Sequence, residues 1–221
     1  IIERHNLVSE FVDNNEVSSQ IIKILSNQPD AERALLRISA RTNNPRDLIL
    51  IINFLKSSEL IYLELEKIKN PLINSLFLHN DSKKKLVSLK EKLEKNIMEV
   101  PPVNINEGGI FKSGVDENLD VLRNIKHEKQ KEILKMQASY CSLTNISNLK
   151  IKFNNIHGYF IEVTNKNSEI LKTFKEKEFN LIQNTVNNSR FQTKELSEVS
   201  REIQNSQKKS IELEKKLYKQ I

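Results

Sequence analysis

The chain reads as a mainly α protein with a small β insertion: a helical core, then two long antiparallel helices that carry a mostly antiparallel β-rich cap at their tip. Three observations predict this class. Gly (4) and Pro (5) are scarce among 221 residues while 29% are charged, a balance that favours long helices over turn-rich sheets. Over 149–164, LKIKFNNIHGYFIEVT, the hydrophobic period drops from helical to two. Long polar helical patterns flank that stretch, at 116–143 before it and 195–221 after it.

The first hundred residues read as packed helices. Val17, Ile21, Ile22, Ile24 and Leu25 fall at helical spacing, and Pro29-Asp30 restarts the chain. Over 30–40 the apolar side is Leu35, Leu36 and Ile38. Asn43-Asn44-Pro45 interrupts, with Pro45 suited to a first helical turn. Leu48, Ile51, Ile52 and Leu55 then run on to Leu60, Leu63 and Leu65. None of these helices is apolar enough to stand alone, so each must pack on a neighbour. After Pro71 comes a polar cluster, 79–85, and a helical run through Leu86, Leu89, Leu93 and Ile97. Lys83-Lys84-Lys85 reads as a solvated helix start rather than a nucleic-acid patch, because Glu91, Glu94 and Glu99 follow closely. Pro101-Pro102 and Gly108-Gly109 frame a loop, the clearest punctuation in the chain.

In the first arm Leu119, Leu122, Ile133, Met136, Tyr140 and Leu143 sit at steps of three, four and their sums, with Lys126 and Lys129 in the seam between. Such a thin apolar line suits a two-helix arm. The second arm repeats it through Leu196, Val199, Ile203, Ser206, Ser210, Leu213 and Leu217. Between the arms, Leu149, Ile151 and Phe153 alternate with lysines, and Tyr159, Ile161 and Val163 alternate with Phe160, Glu162 and Thr164. The intervening Asn and Gly residues supply positive φ cheaply, so the pair predicts a β-hairpin. A second β-capable pair spans 179–186 and 190–193, with Asn187-Asn188 as its turn.

Composition narrows the function without deciding it. The formal charge of +6 leans toward anionic partners, although Lys-rich solvated helices give the same surplus. A single Cys141 leaves no disulfide framework or Cys-based zinc site, and reads as a half-buried helix residue. No run approaches the ~20 apolar residues of a membrane span, and no signal peptide is evident. The chain opens without Met inside a helical pattern, so it reads as an internal piece of a longer protein. Gly108-Gly109 lacks the residues of a phosphate loop. His5, His79, His127 and His157 show no metal-ligand spacing and read as surface or turn residues. Glu162 has no carboxylate partner in the pattern, which removes a glycosidase-type pair.

The cap carries the candidate binding chemistry. Asn165, Lys166, Asn167, Ser168, Lys172 and Lys175 follow the second strand, and Asn187, Asn188, Ser189 and Arg190 make the other turn. These types donate hydrogen bonds and charge to phosphate oxygens, which positions a protein on a duplex without reading bases. A solvated turn accounts for the same residues equally well. Over 165–194 six cations face three glutamates, a surplus that supports only weak, salt-sensitive binding. Few aromatics interleave, so a single-strand stacking groove is not indicated.

A series of stretches then stands in the order of one known family. They are Pro29-Asp30-Ala31-Glu32-Arg33 with Arg37-Ile38, Asn44-Pro45-Arg46-Asp47-Leu48, Gly108-Gly109-Ile110, Gly114-Val115-Asp116, and Leu119-Asp120-Val121-Leu122-Arg123. Leu149-Lys150-Ile151, His157-Gly158-Tyr159-Phe160-Ile161-Glu162-Val163-Thr164, Gln183, Asn187, Arg190-Phe191 and Glu195-Leu196 follow. Along its whole length the chain resembles the core (lever) and clamp domains of the MutS family of bacterial DNA mismatch-repair proteins. Leu181, Ile182 and Val186 depart from it, standing where cations are common.

The resemblance implies a partial helical core over 1–115, lever helices over 116–146 and 194–221, and a β-rich clamp over 147–193. It implies contact with double-stranded DNA through Asn165, Lys166, Asn167 and Ser168 and through Asn187 with its neighbours Asn188 and Arg190; Lys172 and Lys175 join the candidate set as cations that offset those lost at 181, 182 and 186. Helix capping by Asn or Ser is the structural alternative at these positions. Arg33, Arg37 and Arg46 read instead as helix-packing or ion-pair residues. The implied setting is a cytoplasmic, nucleoid-associated homodimer with a MutL-type repair partner and no membrane. ATP and Mg belong to an ATPase domain outside this stretch, which is therefore expected to hold no cofactor and catalyse no reaction itself. Two other readings fit the layout: a coiled-coil scaffold whose β tip holds a protein partner, and a relative acting in recombination.

Overall fold

The computed structural model describes residues 2–68, 70–74 and 80–221, and these divide into two compact units, Ile1–Val115 and Asp116–Ile221. His79 lies outside the described residues. Among them, no helix is long and apolar enough to cross a membrane.

The first unit holds α1 (Ile2–Asp13), α2 (Asn15–Ser26), α3 (Ala31–Ser39), α4 (Pro45–Leu65), the short α5 (Pro71–Asn74) and α6 (Asn80–Asn96). A single 3-10 turn, Ile105–Glu107, follows, and Ile97 pairs with Phe111 as an isolated antiparallel bridge. Punctuation is chemical. Asp30 caps α3 by accepting from the Arg33 amide at 3.0 Å. Asn44 caps α4, Pro45 occupies its first turn, and Asp47 returns a bond to the Asn44 amide at 2.9 Å. Asp47 is also the buried partner of Arg37, whose Nη2 lies 2.5 Å from Oδ1. Arg33 pairs with Asp30, and Arg46 donates to the Pro101 carbonyl at 3.2 Å, so the three arginines are ion-pair and packing residues.

The expected apolar side of α3 is corrected. Ala31 and Ala34 are buried with Ile38 packed beside them, while Leu35 and Leu36 are exposed. Small alanines at i and i+3 let α3 approach Ile51, Ile52 and Leu55 of α4 closely, and that turns the leucines outward. Lys83 begins a solvated face, paired with Glu66 at 3.7 Å and lying over the Tyr62 ring.

The second unit contains α7 (Glu117–Thr144), β1 (Lys150–Asn154), β2 (Gly158–Thr164), α8 (Asn165–Lys172), β3 (Asn180–Asn184), β4 (Asn188–Gln192) and α9 (Lys194–Tyr218). Asp116 caps α7 through the Leu119 amide, and Asn145 ends it in the left-handed region at φ 56°. Thr193 caps α9 and its hydroxyl meets the buried Tyr140 hydroxyl at 2.9 Å, joining the end of one arm to the start of the other. The strands form one antiparallel sheet in the order β1-β2-β4-β3, with a bulge between Leu181 and Gln183. Register pairs Asn154 with Gly158, Thr164 with Asn188, and Asn180 with Gln192.

A single apolar cluster joins the sheet to the arm: Ile133, Tyr140, Leu149, Ile161, Val163, Leu171, Phe191, Leu196, Val199 and Ile203. The hairpin alternation holds for Ile161 and Val163. Phe160, on the opposite face, is buried as well because the Arg190 guanidinium covers its ring at 4.7 Å. At both arm ends the seam steps by four where three was expected. Thr144 is buried rather than Leu143, and Glu214 rather than Leu213.

Candidate nucleic-acid interface

Antiparallel pairing decides which candidate residues meet. Thr164 at the end of β2 faces Asn188 at the start of β4, so the first turn of α8 and the β3–β4 turn share one end of the sheet. The β1–β2 turn lies at the other end, where Gly158 packs against Ser200 and Gln204 of α9. Asn165, Lys166, Asn187 and Asn188 are thus gathered at one edge. Asn167 ties in the loop after α7, its Nδ2 donating to Asn148 Oδ1 at 3.0 Å.

Asn165 is the centre of this edge. Its Nδ2 donates to the Val186 carbonyl at 2.9 Å and the Thr185 carbonyl at 3.3 Å, and its Oδ1 accepts from the Ser189 hydroxyl at 2.9 Å. Its backbone amide donates to the Asn187 carbonyl at 3.2 Å. Thr185 closes the turn from within: its amide and hydroxyl both donate to the Asn188 carbonyl, at 2.8 and 2.7 Å. The Asn188 amide donates back to the Thr185 hydroxyl at 3.1 Å. The expected Asn187-Asn188 turn therefore sits slightly earlier, over 185–187, with Asn188 already in β4.

The other candidates are placed differently. Ser168 is buried against the sheet. Lys172 lies at the far end of α8, about 9 Å along the helix from Lys166 at 1.5 Å per residue, and pairs with Glu169 at 2.7 Å, while Lys175 lies beyond that end. Arg190 points across the outer face of the sheet, bonded to Glu162 Oε2 at 3.3 Å and Gln183 Oε1 at 2.6 Å. On that face Lys152, hydrogen-bonded at 2.6 Å, and Arg190 beside it hold the Glu162 carboxyl below its ordinary value against the opposing effect of burial.

Lys166 and Lys175 are among the cations of the second unit that have no ion pair among the described residues. Thr164, at the cap position of α8, supplies no side-chain bond to the first turn. An exposed lysine, exposed asparagine amides and uncapped helix N–H groups make a surface suited to weakly held anions. Sequence reasoning did not find Asn148 or α8 itself, and it placed Ser189 in the turn rather than buried in β4. The only hint was Asn and Ser at capping positions after a strand.

Comparisons with known proteins point the same way. Residues 114–209 match the domain described as MutS family domain IV. The DNA mismatch repair protein MutS of Persephonella marina is 34% identical over 221 residues, 100% of this chain and 25% of that protein. The protein of that name from Listeria monocytogenes (strain EGD-e) is 34% identical over the same 221 residues, with the same coverage of each. The Aquifex pyrophilus protein is 33% identical over 215 residues, 97% of this chain and 24% of its own length. The chain spans about a quarter of the length of the curated relatives it matches.

Proposed function

We propose, from the premise that this chain belongs to the MutS family, that its second unit is a DNA-embracing lever and clamp acting in mismatch repair. In this reading α7 and α9 are the levers and the sheet with α8 is the clamp. The asparagine-rich edge around Lys166 and Asn187 meets the duplex, through phosphate contacts that carry no sequence information. The observation that carries the reading is that edge: exposed Lys166 and Asn187 held side by side by the Asn165 bonds, in a chain that aligns with MutS along its length. Lys175 adds charge beyond the end of α8, and Ser168 and Arg190 shape the surface from behind.

The rest of the proposal concerns a protein about four times as long as this chain. There, ATP and Mg held by a separate nucleotide domain would work the levers. Two copies would close on one duplex, and a MutL-type protein would be the repair partner in the bacterial cytoplasm.

The test is retention of a labelled duplex by the chain across a salt series. With Lys166 and Lys175 as the two phosphate-contacting cations, log K should fall with log salt at a slope of about −2. Lys166→Ala should flatten that slope by about one. Absence of binding at low salt, or binding indifferent to salt, would reject the reading.

A further inference from the structure

We infer that Asn165 is a positioning residue: it locks the β3–β4 turn to the first turn of α8 so that Asn187 and Lys166 are presented together, and it does not itself grip the duplex. This inference rests on the DNA-binding reading of the same edge.

The hydrogen-bond inventory of the side chain carries the assignment. An asparagine amide offers two donor hydrogens and two acceptor lone pairs. Both hydrogens of Asn165 are spent on the turn, at the Val186 and Thr185 carbonyls, and one lone pair is taken by Ser189. Two of these three partners are backbone carbonyls, and the third belongs to the buried Ser189. A donor already engaged this way could reach a phosphate oxygen only by abandoning the turn. Asn187 is the converse: its carbonyl is anchored by the Asn165 amide while its side chain carries no hydrogen bond among the described residues and stands exposed.

The geometry of the turn explains why a lock is useful. The bonds between Thr185 and Asn188 close the turn, and the β2–β4 ladder holds its base through Thr164 and Asn188, but neither reaches the crown at Val186. Val186, at the crown, is 93% exposed, so no apolar packing fixes the turn in place. The bonds from Asn165 supply the missing restraint. A phosphate contact needs its donors fixed beforehand, because ordering a loose turn on binding weakens the complex.

The experiment combines amide exchange with a double-mutant cycle on the chain, read by duplex retention at low salt. Asn165→Ala is expected to speed exchange at the Thr185 and Asn188 amides and to weaken retention roughly tenfold. Asn187→Ala should weaken retention without altering exchange. The double variant should bind no worse than Asn165→Ala alone, because a misplaced Asn187 has little left to lose. Additive losses, or exchange unchanged in Asn165→Ala, would overturn the assignment. Should Asn165→Ala fail to fold, Ser189→Ala removes one of the three bonds and should show both effects at smaller size; no effect on exchange there would overturn it equally. If the unaltered chain does not retain DNA, the functional reading falls, and the exchange result alone decides whether Asn165 locks the turn.

Discussion

Arg123 on α7 donates through Nη2 to Glu214 Oε1 on α9 at 2.9 Å, and the carboxylate it meets is one of the most buried polar groups of the second unit. Taking a carboxylate out of water is costly unless a cation and further hydrogen bonds accompany it. Removing the cation should therefore cost more than removing the pair. Arg123→Met is expected to destabilise the chain by about 3 kcal/mol, whereas Arg123→Met with Glu214→Leu should recover most of that loss. Urea unfolding of the two variants beside the parent checks this. Equal loss in both would mean that Glu214 is content without the arginine.

Gly158 makes a second prediction. Its φ is +68°, and a Cβ there would press into Ser200 Oγ and come within 2.8 Å of Gln204 Nε2. The same Ser200 hydroxyl accepts from the Tyr159 amide at 3.1 Å, so the helix surface has little freedom to withdraw. Gly158→Ala should cost about 2 kcal/mol, combining a left-handed backbone with a forced contact. Thermal unfolding reads the loss, and Ser200→Gly in the same chain should return part of it.

Asp47 ties stability to pH in the first unit. Its hydrogen bonds from the Arg37 guanidinium lower its pKa most, and the Asn44 amide helps, with burial opposing both. A carboxyl whose folded pKa is depressed releases its proton more readily folded than unfolded. Its contribution is fully present above the ordinary carboxylate value of about 4 and is lost as pH falls through the lower folded value. Denaturation midpoints should therefore decline below about pH 4, and Asp47→Asn should flatten that decline while lowering stability at neutral pH. A decline of the same steepness in Asp47→Asn would place the acid sensitivity elsewhere.

Much of this architecture was legible because it rests on short-range chemistry. Pro45 after Asn44, Asp116 before Leu119, and the Asn/Gly turn between two alternating runs each dictate a local conformation. What escaped depends on partners distant in sequence. Nothing near Leu35 announces that α4 will come close enough to prefer Ala31 and Ala34. Phe160 is covered on the outer face by Arg190, thirty residues on. The candidate edge divides the same way. The residue types were readable, but the split between exposed Lys166 or Asn187 and committed Asn165, Ser168 or Arg190 follows from sheet register. Glu214 escaped because a buried glutamate looks like a surface residue until its arginine is in place.

The middle of the helical pair has a mechanical consequence. From Leu119 to Ile133 the α7 side of the seam buries no apolar residue fully, and opposite it α9 offers Ser206 and Ser210. Lys129 bridges there to Glu202 and Glu132, at 2.9 Å each. The exposed ion pairs of Lys129 are weak, and the buried serines bring little apolar area, whereas the cluster beneath the sheet is closely packed. A bending load applied at the sheet is therefore expected to be taken up first in mid-span, where the seam holds least apolar packing.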